Sequence, residues 1–373
     1  MPEIWLKYGS TDVVLDIRFE NLANQISPGF QVLSEEKIKT ALASSIPLTD
    51  KMLFLVLSRS KAASNIIKML VDEARKKDFS VTIDVPDKMA GSLLTSFADN
   101  KTIPINRVDY QSLNPRLAEF QNTIIVSNVA YDPLFGFAGA PTTLLRNLLA
   151  EQMAKAFKAR EDNRPAPGIV GGPLEVATSA IDGIQAQSIE LVANNENIAG
   201  IHTGSIKEAF DKAIGQLQSI STVETESVKC AIISTGGEVN RHSTLATALN
   251  SLWNSIHIVK EGGTAVLLAE SREGIGGGAL QMFIEGRLKP ERLHQAPYID
   301  GLEHLLFIEE LLQKYKLGLV STLPHYYAKT KLGFTVYNGM KDILQKLAEN
   351  YGKNFKVLIV SDPNVTILKP KAG

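Results

Sequence analysis

The chain has 373 residues, 44% hydrophobic and 21% charged, with a formal net charge of -1. These are globular proportions with length for two cores rather than one, and the near-zero charge excludes a general attraction to nucleic acid or to an anionic membrane surface. The single cysteine, Cys230, excludes an intramolecular disulfide framework and fits a reducing compartment. The opening Met1-Pro2-Glu3-Ile4-Trp5 has no basic segment followed by an apolar one, and no stretch approaches the roughly 20 apolar residues of a membrane span. A soluble, cytoplasmic protein is expected. Its expected partner is a small-molecule anion, with no nucleic acid and no membrane, and a homo-oligomer remains open.

Short apolar runs of strand length alternate with stretches of helical period, the pattern of βαβ units and mainly parallel sheets. In chain order the expected strands are 13–17, 52–57, 81–85, 123–127, 228–234, 265–269, 317–321 and 357–360. The helix after Thr142 places Leu145, Leu148, Leu149, Met153 and Phe157 on one face; the helix after Ser243 does the same with Leu245, Ala248, Leu249, Leu252, Trp253 and Ile256. The Pro/Gly-dense stretch 164–173 marks a long loop, open to two readings, a lid or an interdomain crossing. The polar stretch 219–227 sets the expected boundary between an α/β domain over 1–222 and a second over 223–373, with the last strand allowed to cross back to the first.

In parallel sheets the residues just past each strand gather on one edge, where open α/β sheets bind ligands. Ser58-Arg59-Ser60-Lys61 runs from a strand straight into a helix, so backbone N–H groups, the helix dipole and two cations together favour an anion. A plain solvated cap accounts for the same residues. The stretch 259–278 reads as a helix end, a glycine turn, a buried strand and a glycine-rich loop. Gly274-Ile275-Gly276-Gly277-Gly278-Ala279 formally fits the dinucleotide fingerprint, but Glu270 to Glu273 intervene after the strand, so a flexible loop or a close backbone approach is the better reading. Arg272 and Glu273 either clamp a carboxylate or pair with each other.

The six histidines, with no pair at i, i+2 or i, i+4, argue against zinc or mononuclear iron. There is no G-x-S-x-G elbow and no phosphate loop of the G-x-x-x-x-G-K-[ST] type. His325 follows a strand and a Leu-Pro turn, where acid/base work is natural, although a turn histidine is the ordinary reading.

Ile233-Ser234-Thr235-Gly236-Gly237, Lys260-Glu261-Gly262-Gly263-Thr264 and Ala269-Glu270-Ser271-Arg272-Glu273-Gly274-Ile275-Gly276, with Leu134-Phe135-Gly136-Phe137-Ala138-Gly139-Ala140 in the first half, resemble the nickel-pincer lactate racemase (LarA-like) family. The resemblance implies two α/β domains with mainly parallel sheets and an interdomain cleft. It implies racemisation or epimerisation of 2-hydroxy acids by hydride transfer to a lysine-anchored nickel pincer nucleotide. The family's N-terminal histidines are missing, since the first histidine is His202. The histidine expected before the Phe/Gly loop falls at about Asp132, the arginine and cofactor lysine at about Pro141 and Thr142, and the tyrosine and lysine of the second domain's first helix at about Leu245 and Leu249. Ser58-Arg59-Ser60-Lys61 stands loosely for the segment that grips the cofactor phosphate. The expectation is a divergent member without the pincer cofactor and without a metal, binding a small anionic metabolite in the interdomain cleft through Ser58, Arg59, Lys61, Gly136, Gly139, Gly236, Gly237, Arg272, Gly276 and Gly277. Two alternatives stand beside it: an active 2-hydroxy-acid racemase or epimerase, and an unrelated enzyme using Arg272, Glu273 and His325.

Overall fold

The structure, a computed structural model, describes residues 3–27, 29, 31–91, 105–109, 113–160, 166–194, 197–236 and 243–371. The chain divides into two compact units: a central one, Phe30–Ile220, and a split one made of Met1–Gly29 with Ser221–Gly373. This corrects the boundary read from sequence. The first 29 residues belong with the C-terminal half, and the last strand stays within it. The physical reason lies in the opening strands, β1 (Glu3–Tyr8), β2 (Thr11–Asp16) and β3 (Leu22–Ile26). β1 and β2 form an antiparallel hairpin whose Ile4, Leu6 and Leu15 pack with Ile232, Val266 and Ile359 of the later sheet.

The central unit follows as α1 (Glu35–Ser45), β4 (Met52–Val56), α2 (Lys61–Arg75), β5 (Val81–Pro86), β6 (Ile105–Val108), α3 (Leu113–Leu117), β7 (Asn122–Asp132), β8 (Gly136–Ala138), α4 (Ala140–Leu148), α5 (Ala150–Lys158), α6 (Gly172–Ala180), β9 (Gln187–Asn194), β10 (Asn197–Ser205) and α7 (Ile206–Ser221). Its sheet has the order β10-β9-β7-β4-β5-β6, parallel from β9 to β6, with β10 and the short β8 added antiparallel. β4 is apolar throughout because it is covered on both faces, as a parallel strand must be. Met52, Phe54 and Val56 face α2, and Leu53 and Leu55 face α4. The helix expected after Thr142 is two helices. At Leu149 the backbone leaves helical values (φ -125°, ψ 65°), separating α4 from α5.

The split unit resumes with β11 (Thr222–Thr225), β12 (Val228–Ser234), α8 (Leu245–Ser255), β13 (Val259–Leu268), α9 (Ala279–Ile284), α10 (Leu302–Lys314), β14 (Lys316–Val320), β15 (Thr335–Val336), α11 (Met340–Tyr351), β16 (Val357–Ser361) and β17 (Ile367–Pro370). Its main sheet, β15-β14-β13-β12-β16-β3, is parallel throughout, and β11 pairs with β17. β13 corrects the reading of 259–264 as a helix end and glycine turn. The strand already begins at Val259 and absorbs its glycines in an irregularity opposite Val228 and Cys230. Among the described residues no helix is long and apolar enough to cross a membrane.

Candidate functional site

In the central unit β4 ends in a loop that turns directly into α2. The Ser58 hydroxyl donates to Ser60 Oγ (3.0 Å), which donates to Asn128 Oδ1 (3.1 Å) and accepts the Ala63 N–H (3.1 Å) as the helix cap. Both serines are buried, at 7% and 4% exposure. Among the described residues no acceptor takes the first-turn N–H groups of Lys61 and Ala62; Ala62 is 0% exposed, so the Lys61 N–H is the one the helix start leaves for a ligand or for water. Lys61 is exposed, and the Arg59 guanidinium donates to the Lys88 carbonyl (2.8 Å). Thus Ser58, Arg59 and Lys61 lie together past β4, with Asn128 from within β7 bonded to them through Ser60.

The Phe/Gly loop is built by its own backbone. Asp132 accepts the N–H groups of Leu134 and Phe135 (both 2.8 Å) and holds Arg146, whose guanidinium lies 5.0 Å from the Phe135 ring centre. Gly136 has φ 79°, and a Cβ there would fall 1.9 Å from the Ile169 carbonyl oxygen, so the 166–171 loop can pack here only against glycine. Gly139 faces the Phe210 ring and Glu190. Packing therefore accounts for both glycines. Pro141 lies in the first turn of α4, and the Thr142 hydroxyl is closed onto the Gly139 N–H and carbonyl (3.0 and 3.1 Å).

Glu190, which the sequence reading missed, is the central unit's most unusual polar residue. It is 0% exposed; Oε1 accepts the Ala140 N–H at the start of α4 (2.7 Å), while Oε2 is buried and unpartnered among the described residues. Burial pushes its pKa up to about 8, against the smaller lowering effects of the Ala140 N–H and the Ser127 hydroxyl. Ser127 is directly across in register, close enough to act on the carboxyl, but its hydroxyl does not meet hydrogen-bond geometry. Glu190 is neutral through most of the range below pH 8.

In the split unit the corresponding edge is filled by its own chain. Gly274 and Ile275 offer their carbonyls to the N–H groups of Leu245 and Ala246 (both 3.0 Å), so the glycine loop satisfies the first turn of α8. No nucleotide phosphate needs those donors. Arg272 pairs with Glu270 (2.8 Å) and reaches Ser10 in the β1–β2 turn (3.2 Å), so of the two sequence readings the pairing with Glu273 is the one replaced. Glu270 also abuts Gly9, and its charge adds to burial in raising Tyr8 to about 12. Gly236 bridges to Tyr8 and packs on Asp362. Gly276 packs on Ala246, and Gly277 is exposed. Glu273 and His325 are both exposed, with Glu273 tied through its backbone to Ser243 and His325 at the start of a short π-helix, Tyr326–Lys331. The structure brings neither of them into a buried acid/base pair. Gly237 lies outside the described residues.

The architecture is that of the lactate racemase fold: two α/β units with mainly parallel sheets, each with its helix starts and loops at the strands' carboxyl ends. The lactate racemase apoprotein of Thermoanaerobacterium thermosaccharolyticum matches with a TM-score of 0.79 over 99% of this chain and 100% of that one, at 15% identity. A protein of Thermotoga maritima matches with a TM-score of 0.67 over 91% of this chain and 99% of that one, at 12% identity. No family model matches the chain, and no curated protein does. At such identities the likeness speaks for the fold, and function has to come from the residues at the site.

Proposed function

We propose that this chain is a divergent lactate racemase-like protein that binds a small anionic metabolite at the Ser58–Lys61 helix start and does not use a nickel pincer cofactor. One observation carries the reading. Two buried serines bonded to the half-buried Asn128 orient a helix start that presents the Lys61 N–H beside two basic residues. What speaks against the cofactor is donor chemistry. At the positions the resemblance gives to its histidine and lysine stand Asp132, committed to Arg146 and to a turn, and Thr142, closed onto its own helix start. Leu245 and Leu249, at the tyrosine and lysine positions, are 0% exposed. The residues present do not fit the group. The competing reading, an active 2-hydroxy-acid racemase, needs an imidazole or an amine where these side chains are.

Titration with D-lactate, L-lactate and inorganic phosphate tests the reading by melting temperature. At least one should raise it progressively with concentration, reaching about 2.7 kcal/mol of stabilisation at a hundred times its dissociation constant, and Arg59→Ala/Lys61→Ala should abolish the response. A flat response to all three sinks the proposal, and interconversion of the lactate enantiomers would favour the competing reading.

A further inference from the structure

The opposite, amino-terminal edge of the split unit's sheet carries a feature that the proposed function does not use. Four adjacent strands, in the order β14, β13, β12, β16, each have a lysine at or beside their first residue: Lys316, Lys260, Lys229 and Lys356. Cys230 is level with Val357 and with Thr264, and Thr264 with Lys316, so the strand starts are aligned. With strands about 4.8 Å apart, the row is roughly 15 Å long. Lys229, Lys260 and Lys356, together with Ser227, Asn350 and Tyr351, line a cavity of about 510 Å³. Among the described residues no carboxylate lines this cavity, and none of these three lysines has an ion-pair partner.

Like charges set side by side on neighbouring strands are unfavourable, and soluble surfaces ordinarily intersperse the two signs. Here three lysines line one concavity whose lining holds no carboxylate, an arrangement that favours positive potential inside it. The volume is in the range of small-molecule sites. Tyr351 is fixed as part of the wall, its hydroxyl bonded to Thr264 Oγ1 (2.8 Å) and the Gly262 carbonyl (3.2 Å), with the Lys316 ammonium 5.8 Å from its ring centre. We propose that the cavity at the amino ends of β12, β13 and β16 is a second binding site, for a small polyvalent anion: a phosphate ester or diphosphate, or a di- or tricarboxylate. The lysines supply the attraction as mobile point charges, and Asn350 supplies directional polar contact. The site is in the other unit from Ser58–Lys61 and is independent of that reading.

Calorimetric titration with pyrophosphate and with citrate, at ionic strength held constant with sodium chloride, tests the site. Saturable binding of at least one is expected. In the Arg59→Ala/Lys61→Ala background, where the helix start no longer contributes, this binding should persist, and adding Lys229→Ala/Lys356→Ala should weaken it at least about tenfold, the scale of losing 1.4 kcal/mol or more. The lysines are exposed, so their variants should melt like the parent. No binding of either anion, binding undiminished in the lysine variant, or binding lost in the Arg59/Lys61 variant would each overturn the proposal; the last would assign the anion to the helix start.

Discussion

Glu190→Gln should make the protein more stable at pH 8, by roughly 4 kcal/mol, and the gain should shrink toward zero as the pH falls to 4.5. The carboxyl is fully buried and its pKa is raised from 4.5 to about 8, so the folded state keeps a proton that the unfolded chain gives up above pH 4.5. The contribution of Glu190 to stability is thus fully present below pH 4.5 and is lost progressively as the pH rises to 8, at about 1.4 kcal/mol per unit of difference between the two pKa values. Glutamine keeps the acceptor for the Ala140 N–H and adds a donor toward Ser127 without ever ionising. Chemical denaturation of parent and variant between pH 4.5 and 8 provides the measurement. A variant equally stable at every pH would mean that the carboxylate has solvent or a cation beside it.

Leu249→Lys, which restores the amine expected from the family resemblance, should cost about 4 kcal/mol or more, with Leu249→Met as the control. Leu249 is 0% exposed on α8, a helix whose Leu245, Ala248, Leu252 and Trp253 are also buried. The lysine variant loses the leucine's packing and must either bury an ammonium or deprotonate it. Methionine conserves volume and should cost under about 1.5 kcal/mol. Thermal melts decide the matter. If the lysine variant melts within a degree or two of the methionine one, the side chain at 249 reaches a polar space, and the argument from burial fails.

What the sequence could reveal depended on how local the determinants were. β12 was legible to the residue, Val228–Ser234, because a strand covered on both faces writes a continuous apolar run. β9 and β10 were missed: Gln187, Ser188 and Glu190 interrupt the apolar pattern of β9, and a glutamate in a strand ordinarily reads as facing water. Only the covering by α4 and Phe210 makes it interior, and that is set by residues far along the chain. β3 was equally hidden, since Leu22-Ala23-Asn24-Gln25-Ile26 carries little apolar signal and owes its strand form to pairing with β16. The Ser58–Lys61 helix start was readable because strand, serine cap and helix are contiguous. The fate of the glycine loop was not. Whether Gly274 and Ile275 face a ligand or cap α8, and whether Arg272 meets Glu273 or Glu270, depends on contacts with Leu245, Ala246 and the β1–β2 turn. Spacing alone does not encode such contacts.

On the proposed reading, the lactate racemase-like fold carries side chains that do not hold a metal-bearing nucleotide. The most direct test of that reading is the intact mass and nickel content of protein purified from cells that make the pincer cofactor. The mass should equal that of the unmodified chain, with nickel far below one atom per molecule. A covalent adduct on a lysine with stoichiometric nickel would contradict the account.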